Sequence, residues 1–396
     1  MEIVRNLWQR KLRSVLTISG ILMGIFALTT MGSMAQHFNV LLQGGITYYG
    51  NSVQVADENG GTFTSGYMSL STLDEIRGVD GVAAAFPTVG VVAKPGSSDV
   101  VTFGIPDYIT NYAPGSGHYS AFKMSLARGT WVTDASRNQV DLGSAFAAEF
   151  KKQVGDTIEL PVRPGDAKSD FVSHRFTVVG LINRTLTAPD NGAFVSTHDA
   201  QTLQGESMPA ALRSQVDPYQ LVSGVVAYGR PGVNLDALAD RITREVPTAK
   251  AAKPSTLVQS FKAGGAVFTF ITTAAAVLAL IIGGLSVVNT MIMSVTERVR
   301  EIGLKKAIGA KTHHILTEFL AEASLMGLIG GALGFLLGAA LTVALDAGDP
   351  SGGLFLVTPR LAVLSLGFAI ALGAGAGLMP AIRAARMDPV TALRSQ

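Results

Sequence analysis

"AGGAVFTFITTAAAVLALIIGGLSVVNTMIMSVT" occupies Ala263–Thr296 and contains no charged residue. A helix needs roughly 20 apolar residues to cross the hydrocarbon of a bilayer, which is about 30 Å thick. This stretch is longer than that. At about 1.5 Å per residue it gives roughly 50 Å of helix, so the excess is expected to project outward as a stalk. The neighbouring block has the opposite character. "SVTERVREIGLKKAIGAK", Ser294–Lys311, has seven charged residues among eighteen. A second apolar run begins soon after, at Ala323–Leu345.

Two more runs of this kind exist, Ser14–Ala35 and Leu361–Ile382, and all four are rich in Gly, Ala, Ser and Thr. Small residues let helix backbones approach closely in lipid. Only 15% of the chain is charged and 48% is hydrophobic; a soluble domain carries about a quarter charged residues. The deficit and its clustering point to lipid. The run at 14–35 can also be read as a secretory signal peptide, with Arg5, Arg10, Lys11 and Arg13 before it and "SMA" at Ser33–Ala35. It exceeds an h-region of about 7–15 residues, so it is read as a retained span. Cysteine is absent, which removes disulfide and thiol chemistry.

Lys and Arg placement sets orientation. Residues 1–13 carry a net +3, residues 296–313 a net +3 and residues 383–396 a net +2, so the rest of this +2 chain carries −6. The three basic segments are expected in the cytoplasm and the rest outside. The expected protein is α-helical and integral to the cell membrane. It has four transmembrane helices and a large extracytoplasmic α+β domain inserted between helices 1 and 2. The segments are 1–13 cytoplasmic, 14–35 first span, 36–262 insert, 263–295 second span with stalk, 296–313 cytoplasmic helix, 314–345 third span, 346–360 outer loop, 361–382 fourth span and 383–396 cytoplasmic.

Within the insert, "NSVQVA", "GVVAYG" and "HRFTVVGLIN" alternate partly, as strands do. "LSTLDEIRGVDGV" predicts a helix with Ser71 as N-cap, closed by Gly78, and "NLDALADRITREV" another from Asn234. Gly and Pro clusters at 94–96, 104–117, 161–166 and 187–192 predict turns.

In the charged block, Val295, Val299 and Ile302 fall at helical spacing. Glu301–Lys305 is a favourable i,i+4 pair and Glu297–Arg300 an i,i+3 pair. Gly309 is expected to end the helix. A solvated loop obeying the positive-inside rule is the plain alternative. It needs neither Glu297 and Glu301 nor the small residues Gly303, Ala307, Gly309 and Ala310. Small residues permit close approach by another surface, so a docking helix with an exposed charged face is expected.

At this point the sequence resembles the MacB/FtsX/LolC-type ABC transporter permeases. The pattern E-R-x-R-E-I-G-x-x-x-A-x-G-A is met at Glu297, Arg298, Arg300, Glu301, Ile302, Gly303, Ala307, Gly309 and Ala310. "RKLRSVLTISGILMG", "LARGTWVTDAS" with the strand runs after it, and "MPAIRAARMDPVTALRS" carry the resemblance over nearly the whole chain. It implies that this block, with Lys305, is the coupling helix that docks on an ABC ATPase. Only 13 residues precede the first span, and no G-x-x-x-x-G-K-[ST] loop occurs to cradle phosphates. No cofactor is therefore expected on this chain, and ATP and Mg are expected on a separate ATPase subunit. A homodimer or pseudo-symmetric permease dimer, membrane lipid and an extracytoplasmic adaptor are the other partners implied; nucleic acid is not.

Other chemistry is weak. Adjacent His313 and His314 point to different sides of a helix and lack metal-ligand spacing with Cys or acidic residues. Span methionines such as Met291 and Met293 are ordinary apolar residues. No G-x-S-x-G elbow occurs. Asn289, polar inside a span, is expected to hydrogen-bond at a dimer or bundle contact. Glu318 and Glu322 are expected solvated or paired with Lys/Arg at the inner interface. Two function classes remain. One is a permease subunit converting ATPase closure into motion of the outer domain, a mechanotransmission mode suited to efflux of peptide, lipid or hydrophobic cargo. The other is an FtsX-like signal protein controlling an extracytoplasmic hydrolase or sensor.

Overall fold

The computed structural model describes residues 11–58, 66–95, 107–111, 124–165, 171–348 and 353–394. Arg5 and Arg10, and much of the turn cluster at 104–117, lie outside them. The chain divides into two compact units, one built on the spans and the other on the insert.

Among the described residues there are four long helices, Lys11–Gly50, Pro254–Glu297, Thr312–Gly348 and Pro359–Ala385, whose apolar stretches make up the first unit. Each is long and apolar enough to cross a membrane. Two run well past the expected boundaries. The first continues beyond Ala35 to Gly50, and the second begins at Pro254 rather than Ala263. Leaving the apolar run does not end a helix; a breaker or competing contacts must do so. Inside the second unit these two extensions pair. Tyr49 stacks on Phe261 at 5.2 Å between ring centroids, and Gly265 faces Leu42.

Small residues set the packing of the spans. A Cβ on Gly330 would stand 3.0 Å from the Ile18 carbonyl oxygen, on Gly334 2.6 Å from that of Leu22, and on Gly338 2.9 Å from the Thr29 Cβ. One stripe of the third helix thus seats the first. Another stripe seats the fourth: a Cβ on Gly327 would lie 2.4 Å from the Ala369 oxygen, and one on Gly373 2.4 Å from the Ala323 oxygen. Backbone approach this close recovers in dispersion what lipid cannot supply as a hydrophobic drive. Thr17 and Thr290 add a 2.5 Å hydrogen bond between the first and second helices.

Among the described residues the insert has two large sheets and a two-stranded pair. The first has order β13-β1-β12-β3, all antiparallel, from Ala249–Ala252, Val53–Asp57, Gly224–Gly229 and Val82–Thr88. Helices α1 (Ser71–Gly78) and α4 (Leu235–Glu245) pack on it. The second sheet is mixed. Its order is β4-β5-β10-β7-β9-β6, from Gly90–Val92, Tyr108–Asn111, Gly192–Val195, Gln139–Leu142, His174–Ile182 and Leu126–Gly129. β8 (Thr157–Leu160) pairs with β9. Helices α2 (Ser144–Glu149) and α3 (Thr197–Ser207) belong to this lobe. A short pair, β2 (Met68–Ser69) with β11 (Leu221–Val222), completes the set. The chain leaves the first sheet after β3, crosses at buried Val89 and returns at β12. The second lobe is therefore an insertion within the first.

Two local readings are corrected. α1 starts with Leu70 at the N-cap and Ser71 as its first residue, with no side-chain cap bond. Tyr108–Asn111, inside the expected turn cluster, is a strand because β4 and β10 flank it and cover its backbone. α4 begins where the sequence places it: the Asn234 side chain accepts from Asp236 N and Ala237 N, and Leu238 and Ile242 are buried.

Asp141 on β7 is fully buried. Its Oδ2 accepts from Val132 N at 2.8 Å. Burial pushes its carboxyl up to about 6, only partly offset by that bond. The unfolded chain gives up this proton near 3.8. As pH rises from about 4 to 6, the folded insert holds a proton that the unfolded chain has released, so stability falls across that window, by about 3 kcal/mol. Asp141→Asn should therefore stabilise the insert by about 2 kcal/mol at pH 7.5 and have little effect at pH 4. Melting followed by tryptophan fluorescence at the two pH values checks this. Equal effects at both would remove the titration account.

Candidate coupling surface between the second and third spans

The second long helix ends at Glu297, and Arg298, with φ −107° and ψ 13°, breaks it. A junction helix comes at once, Val299–Ala307, shorter than the expected 296–313. Its stop is a glycine cap. Gly309 has φ +101°, which costs little without a Cβ. Gly309 N donates to the Lys306 oxygen at 3.0 Å and Ala310 N to the Lys305 oxygen at 2.9 Å, the paired bonds of a Schellman motif.

Charge braces this helix against the start of the third. Arg298 Nη1 meets Glu322 Oε2 at 3.0 Å, and both side chains are only 10% exposed. Lys305 Nζ lies 2.8 Å from Glu318 and 3.3 Å from Glu301. Burial alone would lower the lysine's pKa, but the two carboxylates outweigh it and raise it. Arg298 also approaches Glu301 at 3.9 Å. Hence Glu318 and Glu322 are paired, and Arg298 is the arginine that turns inward while Arg300 stays exposed. A buried pair of this kind is costly to break, about 3–5 kcal/mol when one partner is removed.

Ile302 and Gly303 are buried under a last short helix, Pro389–Arg394. A Cβ on Gly303 would stand 2.7 Å from the Ala392 Cβ. Lys306 Nζ donates to the Met387 oxygen at 2.8 Å. The small size of Gly303 is thus used inside this chain, not to admit another surface. This corrects the sequence expectation for that residue.

The outward face holds an apolar pair among its exposed charged residues. Leu304 is 57% exposed and Ile308 79%. They are flanked by Arg300, Glu301, Ala307 and Lys311, of which Arg300, Glu301 and Lys311 carry charge into solvent. Glu297 and Gly309 are exposed too, and Ala310 is half-buried. The signal for Leu304 and Ile308 was present: an i,i+4 apolar pair two positions on from Ile302, which on a helix means the opposite side.

Fold and junction together define a multi-pass membrane protein with an inserted α+β domain and a braced helix between its second and third spans. Residues 14–245 match the MacB-like periplasmic core domain and residues 273–389 the FtsX-like permease C-terminal domain. The chain belongs to the MacB/FtsX-type family of ABC transporter permeases. It is similar to the ABC transporter permease YknZ of Bacillus subtilis, with 26% identity covering 97% of this chain and 95% of that one. It is also similar to the pyoverdine export ATP-binding/permease protein PvdT of Pseudomonas fluorescens, with 26% identity over 99% of this chain. The chain spans 58% of that relative's length. The crystal structure of the periplasmic region of MacB from Actinobacillus actinomycetemcomitans aligns with 55% of this chain at 12% identity and a TM-score of 0.34.

Proposed function

We propose that this chain is the membrane subunit of an ATP-driven exporter, driven through its junction helix by an ABC ATPase on a separate chain. The observation that carries the reading is the exposed Leu304–Ile308 pair on a helix held by two ion pairs. An exposed apolar pair within a charged rim suits a protein partner. Bracing onto the third helix lets a push on that pair move the spans instead of bending a loop. ATP and Mg belong on the partner. Relatives named for pyoverdine and macrolide export favour export over the signalling role, with peptide, lipid or hydrophobic small molecules as cargo and an extracytoplasmic adaptor as a further partner.

The Lys/Arg bias supports cytoplasmic termini and an outer insert. In this cysteine-free sequence, a cysteine at Gln215 should react with an impermeant maleimide in whole cells, and one at Thr312 should not. The reversed pattern would overturn the orientation.

Asn289 sits on the second long helix yet is exposed on this chain, among Ile282, Leu285 and Ile292. That removes the bundle contact and supports a dimer contact with a second copy, where two asparagines can bond each other. The chain purified from its native membrane in mild detergent should bring an ABC ATPase and contain two permease copies. Asn289→Leu should weaken self-association roughly tenfold while keeping the ATPase. Recovery without any ATPase would refute the coupling reading; an unchanged dimer in Asn289→Leu would refute this contact.

A further inference from the structure

A cleft of about 460 Å³ opens in the second lobe of the insert, within the size range that takes small ligands. Its walls mix apolar residues, Tyr67, Pro161, Phe171 and Leu203, with polar ones, Gln204, Glu206 and Arg213, and one side is strand β4. β4 is an edge strand, paired only with β5 among the described residues. Its hydrogen-bond phase can be read. Ala93 N donates to the Asp107 oxygen, on the β5 side. Gly90 N donates the other way, to Ser223 Oγ at 3.0 Å. Odd-numbered residues therefore bond β5, and the Val92 N–H and C=O point away from it. Val92 lines the cleft and is 58% exposed. In the same wall Gln204 is only 2% exposed. Its Nε2 donates to Ser223 Oγ at 2.9 Å, and its Oε1 has no hydrogen-bond partner among the described residues.

We infer that this cleft binds a short extended apolar peptide by adding it as a strand to β4. One residue opposite Val92 exchanges both backbone bonds with it, and alternate side chains enter the cleft between its apolar residues. A peptide is the ligand class that carries a donor and an acceptor at this spacing together with apolar groups; a purely hydrocarbon molecule leaves the outward Val92 N–H and C=O unanswered. The site lies wholly within the insert and does not depend on the junction helix, so it stands or falls separately from the coupling reading.

The test uses the full chain in lipid nanodiscs and a fluorescein-labelled Leu-Val-Leu-Val amide, followed by anisotropy against empty discs. Binding should be saturable. Val92→Pro removes the outward N–H and should weaken binding roughly tenfold, the loss of one or two net hydrogen bonds. Val92→Ala, which keeps the N–H and loses only side-chain contact, should weaken it less than Val92→Pro. The peptide N-methylated at alternate residues should bind roughly tenfold more weakly to the unaltered chain, which decides the matter even if Val92→Pro misfolds. Non-saturable binding, or equal binding of the methylated peptide, overturns strand addition. A chain that binds the peptide but captures no ATPase leaves the cleft intact and refutes only the coupling.

Discussion

Ile308→Asp should abolish capture of the ATPase subunit and reduce ATP turnover of the reassembled complex by roughly thirtyfold or more, the effect of losing an interfacial anchor worth about 2 kcal/mol. Ile308 is 79% exposed and ends the junction helix just before the Gly309 cap. The substitution leaves untouched Ile302 and Gly303, which pack under the last helix, and the Arg298–Glu322 and Lys305–Glu318 pairs. Folding and insertion should therefore be unchanged. Leu304→Ala should act in the same direction more weakly. Arg300→Ala, at the rim, should chiefly slow association. Pull-down and steady-state ATP hydrolysis are the measurements. Full capture by Ile308→Asp would place the docking surface elsewhere.

Gly327→Leu should be the most damaging substitution in the spans. No space exists for it: even a Cβ there would lie 2.4 Å from the Ala369 oxygen and 3.4 Å from the Gly373 Cα. An isobutyl group must drive the third and fourth helices apart, and Gly331 and Gly377 lose their neighbours with it. Over-packing costs about 1–3 kcal/mol in ordinary cores; facing backbone on a rigid helix, this one should sit at the top, about 3 kcal/mol. Gly375→Leu is the control. It lies on the fourth helix but has nothing within 4 Å, and it should melt like the unaltered chain. Thermal unfolding in detergent compares them, and equal melting of both variants would show that the glycine stripes are not what holds the spans.

The four spans were legible because length and absence of charge are properties of a single segment. Their glycines were legible as composition, but which stripe meets which helix depends on rotation about each axis. Gly330, Gly334 and Gly338 meet the first helix while Gly327 and Gly331 meet the fourth, and no periodicity assigns those partners. The junction shows the same limit. Glu301–Lys305 could be read from helical spacing, whereas Arg298–Glu322 and Lys305–Glu318 join two helices across a reversal. Leu304 and Ile308 stand among the seven charged residues of Ser294–Lys311, and which apolar residues face outward depends on the last short helix covering Ile302 and Gly303. In the insert, β1, β9 and β12 were visible as runs. The placing of β5 between β4 and β10 was not, because three distant segments make that strand what it is.

The contact between Gly303 and Ala392 bears on the order in which the protein is made. The junction helix leaves the ribosome two spans before residues 389–394, which cover Ile302 and Gly303. Until those residues arrive, Ile302 and Gly303 lie uncovered, and the helix is held only by its ion pairs to the third helix. On the coupling proposed above, an ATPase that recognises the covered helix would ignore half-made chains. Assembly would then wait until the fourth span is in place, and a nascent permease would not sequester a subunit that it is unable to use.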